Sequence, residues 1–344
     1  MSAIGSIPRN RLAWIPRECQ LAHNYCYFLH DQAVHLLKQY EEAQAHHVTV
    51  KFRSKVESAR FAEIAKDSGL EALRATGYPA EARRVVLNAI TMAMVSDTLH
   101  HVFEALKCLE KRKSVVALNL LRKPLLDSLI YLAWMLGDED GFYAAFTSGD
   151  PTKLSPKVLG NNRADIIAQA LAQTEVADVL TTDFIVANLF SSKNPSGLYG
   201  LFQKAVHLVT VDRVELKTEA ENFNFIFKNY ADDDIYHGIY YILPHALLFL
   251  THVILELFDR IAPMDMGAKK AFEVRSILGL YLVEGEDNEA VAIKRLSALG
   301  EHFSCDCGTP LKVTPHNAAR ITLSESYRCT GCRRVSGFPL AWMF

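Results

Sequence analysis

Four cysteines near the C-terminus are spaced as metal ligands are: Cys305-Asp306-Cys307-Gly308, then 20 residues, then Cys329-Thr330-Gly331-Cys332-Arg333. Two tight turns that each offer a pair of thiolates can close a tetrahedral site around zinc, at Zn–S distances of about 2.3 Å. A tail this short buries too little apolar surface to hold itself together. Metal binding contributes about 10–16 kcal/mol in comparable small modules. Four protein donors leave no position for water, so the zinc expected here is structural. Only Asp306 separates the first pair, which leaves His302 open as a substitute ligand and His316 as a remoter one.

The second pair, Tyr327-Arg328-Cys329-Thr330-Gly331-Cys332-Arg333, closely resembles the knuckle of a zinc ribbon, and the likeness covers residues 303–344. The first pair departs from that family, whose cysteines usually stand two residues apart. The resemblance implies contact with a nucleic acid or a protein. Arg328, Arg333 and Arg334 are the nucleic-acid-contact candidates, and compensation for the double negative charge of a four-thiolate zinc centre is their alternative use. The tail also holds β-like runs at Leu311–Val313, Arg320–Leu323 and Val335–Leu340, with a length between the cysteine pairs that suits a β-hairpin.

Away from the tail, the polar groups with chemical reach lie on helices. Asp97, His100, His101 and Glu104 fall within two turns, so each imidazole has a carboxylate three or four residues away. Carboxylates orient imidazoles and raise their basicity, which serves acid–base catalysis or metal binding. The plainer alternative is a solvated helix face with local ion pairs. Arg122, Lys123 and Asp127 interrupt a leucine-rich stretch and must face solvent, line a ligand pocket or pair, because a buried unpaired charge is too costly. Cys19, His23, Cys26 and His30 share one helix face, but the run rises about 16 Å, so no single ion reaches all four, and a packed core face is the better reading. His245, His252 and Asp259 recur every seven residues, again too far apart for one metal.

These groups must be positioned by helices, because helical patterning dominates. Helices are expected over Pro16–His46, Ser54–Thr76, Ala80–Arg112 and 114–137, the last kinked or broken at Pro124. A connector with one short helix follows at 138–162, then helices at 163–173, 175–191, within 199–209, at 218–230, and, beyond a long apolar helix, at 268–284 and 287–300. The texture changes after Gly300. The expected fold is mainly α: a multi-helix bundle over 1–300 followed by a small C-terminal β zinc ribbon over 301–344.

Half the residues are apolar and 22% charged, enough for a sizeable core, and a net charge of −2 gives no global attraction to phosphate. The 21 residues Ile235–Leu255 carry no formal charge and could cross a bilayer by length. Gly238, Pro244, three histidines and flanking acids favour a buried core helix, so a membrane is not the expected partner. The N-terminus lacks a signal-peptide pattern, and seven cysteines suit a reducing compartment, so a cytoplasmic protein is expected.

Motifs for dinucleotide binding, a phosphate loop, a nucleophile elbow and HExxH are missing from the sequence. The body loosely resembles HEPN-type helical bacterial proteins through Arg17…His23 and Arg295…His302, pairs that chance alone produces at about this frequency. The expected function is an intracellular zinc-binding protein acting as a binding, sensing or scaffold module. Its ribbon would contact a macromolecular partner and its body would offer a pocket or a homo-oligomer surface. The alternative is a helical nuclease or other hydrolase with a His/carboxylate site in the body.

Overall fold

The computed structural model describes residues 4, 6–211, 217–225, 233–338 and 340. It is a helical body with one two-stranded antiparallel sheet near the C-terminus. The first half comprises α1 (Arg9–Leu12), α2 (Gln20–Glu42), α3 (Lys55–Ile64), α4 (Gly69–Ala75), α5 (Pro79–Leu109), α6 (Ser114–Arg122) and α7 (Leu129–Gly137). Then come α8 (Glu139–Phe146), α9 (Pro156–Leu171), α10 (Thr182–Leu189), α11 (Leu198–Val206), α12 (Asp234–Ile261), α13 (Met266–Glu284) and α14 (Glu286–Gly300). The tail adds α15 (Pro315–Ser324), β1 (Ser326–Arg328) and β2 (Val335–Gly337).

The apolar run becomes α12, the axis of the body. It is long and apolar enough to cross a membrane, yet 83% of that window is buried inside the protein. It packs on α2, α7 and α13, and contributes Ile239, Leu243, Leu247, Phe249 and Ile254 to a core that also takes in Leu29, Leu106, Leu118 and Leu132. Pro244 lies within α12 and is buried. Gly279 of α13 has no side chain for a reason: a Cβ there would lie 2.6 Å from the ring of Tyr25 on α2.

Several boundaries differ from the sequence reading. The stretch 54–76 is two helices, because Ser68 caps a new one by accepting from the Glu71 N–H, as Ser54 does for Glu57. At Pro124 the α-helix is interrupted, as expected: α6 ends at Arg122 and α7 begins at Leu129, with a π turn over Lys123–Ser128 joining them. The connector at 138–162 holds α8 and the start of α9, which continues to Leu171. Residues 172–181 are turns and α10 starts only at Thr182, capped by Thr181. No helix forms over 217–225, and the rest of the helix expected at 218–230 lies outside the described residues.

The tail holds the largest departure. The link between the cysteine pairs is not a β-hairpin but contains α15, and the expected strand Arg320–Leu323 is its second half. Thr314 accepts from the Asn317 N–H and Pro315 occupies the first turn, a strong helix start. α15 buries Ala318, Ala319, Ile321 and Leu323 against α13 and α2, so its apolar face joins the core of the body. Arg275 of α13 donates from Nε to the Thr322 carbonyl at 2.8 Å and pairs with Glu325 at 3.2 Å.

Candidate metal centre

Each cysteine pair occupies its own small turn. Around the first, Leu311 N–H donates to Phe303 O and Cys305 N–H to Thr309 O, while Gly308 N–H closes a turn on Cys305 O at 2.8 Å. Gly308 has φ +80°, a left-handed conformation that glycine adopts without strain, and this absorbs the one-residue spacer. The second pair caps the β1–β2 hairpin, in which Arg328 pairs with Val335. There Cys329 N–H donates to Arg334 O and Arg333 N–H to Cys329 O. Phe303 packs on Phe338, ring centroids 4.6 Å apart, beneath the two turns.

The four sulfurs converge, all within 4.8 Å of one another. Cys305 Sγ lies 3.6 Å from Cys332 Sγ, and Cys307 Sγ lies 3.7 Å from Cys329 Sγ. A disulfide needs about 2.05 Å, so these are free thiols, whereas a tetrahedron with metal–sulfur bonds of about 2.3 Å has edges of about 3.8 Å. The cage therefore fits a four-coordinate metal ion. Gly331 N–H points at Cys329 Sγ from 3.3 Å, and the Thr309 hydroxyl lies 3.2 Å from Cys307 Sγ. The side-chain and backbone hydrogen bonds at Thr309 draw the Cys307 thiol down to about 6, while at Cys305 a lowering backbone hydrogen bond from Cys307 is outweighed by burial and the neighbouring thiols, which push it up to about 11. Cys305 and Cys329 are buried, while Cys307 and Cys332 face solvent. His302 is exposed and stands outside the group, which closes with four sulfurs and no histidine.

The arginines beside the knuckle divide. Arg334 turns to Asp306 and pairs with it at 3.3 Å. Arg328 and Arg333 line a crevice with Arg9 and Arg320, two residues that no sequence motif pointed to. The crevice is assembled from three separate stretches of chain, so spacing could not reveal it.

The body candidates do not assemble into an active-site cleft. His100 and Glu104 are exposed. Asp97 pairs with Lys123 at 2.7 Å, and His101 Nδ1 lies 2.8 Å from the Asp97 carbonyl and 3.7 Å from its carboxylate. Lys123 pairs with Asp97 rather than with Asp127, because the π turn shifts the four-residue register that would have stacked them. Lys123 and Asp127 are exposed and Arg122 half-buried. His245 meets Glu284 at 3.0 Å, Asp259 accepts from Lys269 at 2.9 Å, and His252 Nε2 lies 2.8 Å from Ser276 Oγ. These are ties between helices.

Cys19, His23, Cys26 and His30 are all buried on α2 or at its start, as a core face should be. His23 also enters a network that local spacing could not disclose. Glu110, 4% exposed, accepts from Arg11 at 2.9 and 2.5 Å and from the Tyr27 hydroxyl at 2.8 Å, with His23 Nε2 at 3.5 Å. Tyr240 Oη stands 2.5 Å from His23 Nδ1, so a neutral imidazole protonated on Nε2 suits both neighbours. Burial pushes His23 down and keeps it neutral. Burial alone would raise Glu110, but the hydrogen bonds from His23, Arg11 and Tyr27 outweigh it and bring the carboxyl down to about 2. No protein-family model, curated protein or solved structure matches the chain.

Proposed function

We propose that the chain is a cytoplasmic binding module whose tail, a zinc ribbon interrupted by α15, meets a macromolecular partner. The zinc is structural, held by Cys305, Cys307, Cys329 and Cys332. The observation that carries this reading is the saturated cage: four sulfurs at tetrahedral spacing leave no place for substrate or water on the ion. Its work is to fix two knuckles that present Arg328 and Arg333 outward. Residues 1–300 would then serve as the platform on which the tail, 301–344, is set.

The hydrolase alternative draws no support from the geometry, since His100 and Glu104 point into solvent and Asp97 is engaged by Lys123. The experiment is to compare the wild type with a His101→Ala, Glu104→Ala double variant and with Cys329→Ser. We expect the double variant to keep its metal content and partner binding, and Cys329→Ser to lose both. A hydrolytic activity on RNA or DNA that disappears in the double variant would overturn the binding-module reading.

A further inference from the structure

Between the N-terminal segment, α15 and the knuckle lies a crevice of about 550 Å³ with an unusual charge. Arg9, Arg320, Arg328 and Arg333 line it together with His316, and no Asp or Glu does, among the described residues. In a chain of net charge −2 this is a local concentration of positive charge: of the three carboxylates in the tail, Asp306 is spent on Arg334, Glu325 on Arg275, and Glu301 does not line the crevice. Arg320 is held at the back of the crevice by hydrogen bonds to Ile4 O and Ser326 Oγ, while its buried Nε has no partner.

The N-terminus of α15 opens on the same crevice. Of its first backbone groups, Pro315 has no N–H, and the N–H groups of Asn317 and Ala318 are taken by the Thr314 hydroxyl and carbonyl. That leaves the His316 N–H as the donor at the positive end of the helix dipole. The His316 side chain is depressed by burial and then by Arg320 and Arg328, which reports the positive field at this point. Arg333 adds a further sign. It stands in the left-handed region at φ 63°, a slot that favours glycine, so the backbone does not account for an arginine there.

We propose that this crevice binds the phosphodiester backbone of a single-stranded nucleic acid, with Arg9, Arg328 and Arg333 contacting successive phosphates and Arg320 holding the floor positive. Forked guanidinium groups match phosphate oxygens, and a crevice of this volume admits one strand. Among the described residues no aromatic side chain other than the His316 ring lines it, so binding through them tracks the backbone and shows little base preference. The proposal rests on the zinc-held tail described above, and names the class of its partner.

The test is fluorescence anisotropy of the full-length, zinc-loaded chain with a labelled single-stranded oligonucleotide. The same duplex sequence, inorganic pyrophosphate and poly-glutamate serve as competitors, and zinc content is read in parallel. Three phosphate contacts on a single strand predict a log–log salt slope of about −2.1, or about eighteen-fold weaker binding from 50 to 200 mM salt. Arg9→Ala and Arg333→Gly should each flatten the slope by about 0.7, while Arg334→Ala leaves it unchanged. Arg333→Gly suits its left-handed slot, so it should stay folded and keep its zinc.

Equal competition by poly-glutamate, preference for the duplex, or an unaltered slope in Arg9→Ala and Arg333→Gly would overturn the proposal. If zinc is bound and no oligonucleotide binds, the nucleic-acid claim falls alone. If no zinc is bound, the module reading falls with it.

Discussion

The long helix α12 and the paired knuckles solve the same problem by opposite means. α12 fills the centre of the body with Ile, Leu and Phe side chains, and burying each such side chain is worth about 1.5–3 kcal/mol. The knuckles, residues 303–311 and 326–338, leave Cys307 and Cys332 in solvent and contribute few apolar groups, chiefly Phe303, Tyr327 and Phe338. Their four thiols converge at a spacing that could hold a metal ion. Between the two knuckles, α15 follows the first strategy: its small apolar face is seated on α13 and α2. The tail thus combines two devices, a four-thiol cluster that could hold a metal ion at its turns and apolar burial at its helix.

That difference is sharpest on removing the metal. Cys305→Ser with Cys332→Ser should release the knuckles, since structural zinc supplies about 10–16 kcal/mol in comparable modules. Hydrogen exchange should accelerate at the amides of 326–337, while those of α15 and α12 stay protected. Loss of protection throughout α12 would show that the body depends on the metal as well.

The body's own weak point is polar. Replacing Glu110 with alanine leaves the buried Tyr27 hydroxyl and the half-buried Arg11 without their acceptor and should cost about 3 kcal/mol in urea unfolding, with zinc content unchanged. Because folding lowers this carboxyl from an ordinary 4.5 to about 2, its contribution is complete above pH 4.5 and is lost as pH falls towards 2. Urea titrations of wild type and Glu110→Gln at a series of pH values should converge across that window. A constant gap between them would mean that the Glu110 charge is not what stabilises.

Gly279→Ala comes next, at about 1–3 kcal/mol, because the added methyl must displace the Tyr25 ring and separate α13 from α2. The smallest effect belongs to the exposed Asp97–Lys123 pair. Asp97→Asn should change stability by about 1 kcal/mol or less, measured by the same urea midpoint. A larger loss would point to a role for the Asp97 patch that its exposure does not suggest.

What could be read from the residues follows the same division. Cysteine spacing announces the metal cage directly, since the chemistry of a thiolate pair is local. The apolar run and its flanking acids likewise disclose α12. Arg320–Leu323 alternates like a strand and so hides α15, although Thr314-Pro315 is a legible helix start. The shifted partner of Lys123 followed from a π turn that no periodicity announces. Glu110 meets Arg11 across 99 positions, and the arginine crevice joins residues 9, 320, 328 and 333. Contacts at such separations are created by the fold and leave no pattern in a local window.

What the four sulfurs hold decides how the tail is built. Elemental analysis of the full chain, purified without chelator and dialysed, should find a single zinc per molecule, lost together with the native reactivity pattern of the thiols in Cys329→Ser. A metal-free protein whose Cys305, Cys307, Cys329 and Cys332 all react freely while the fold stays intact would contradict a metal-held tail.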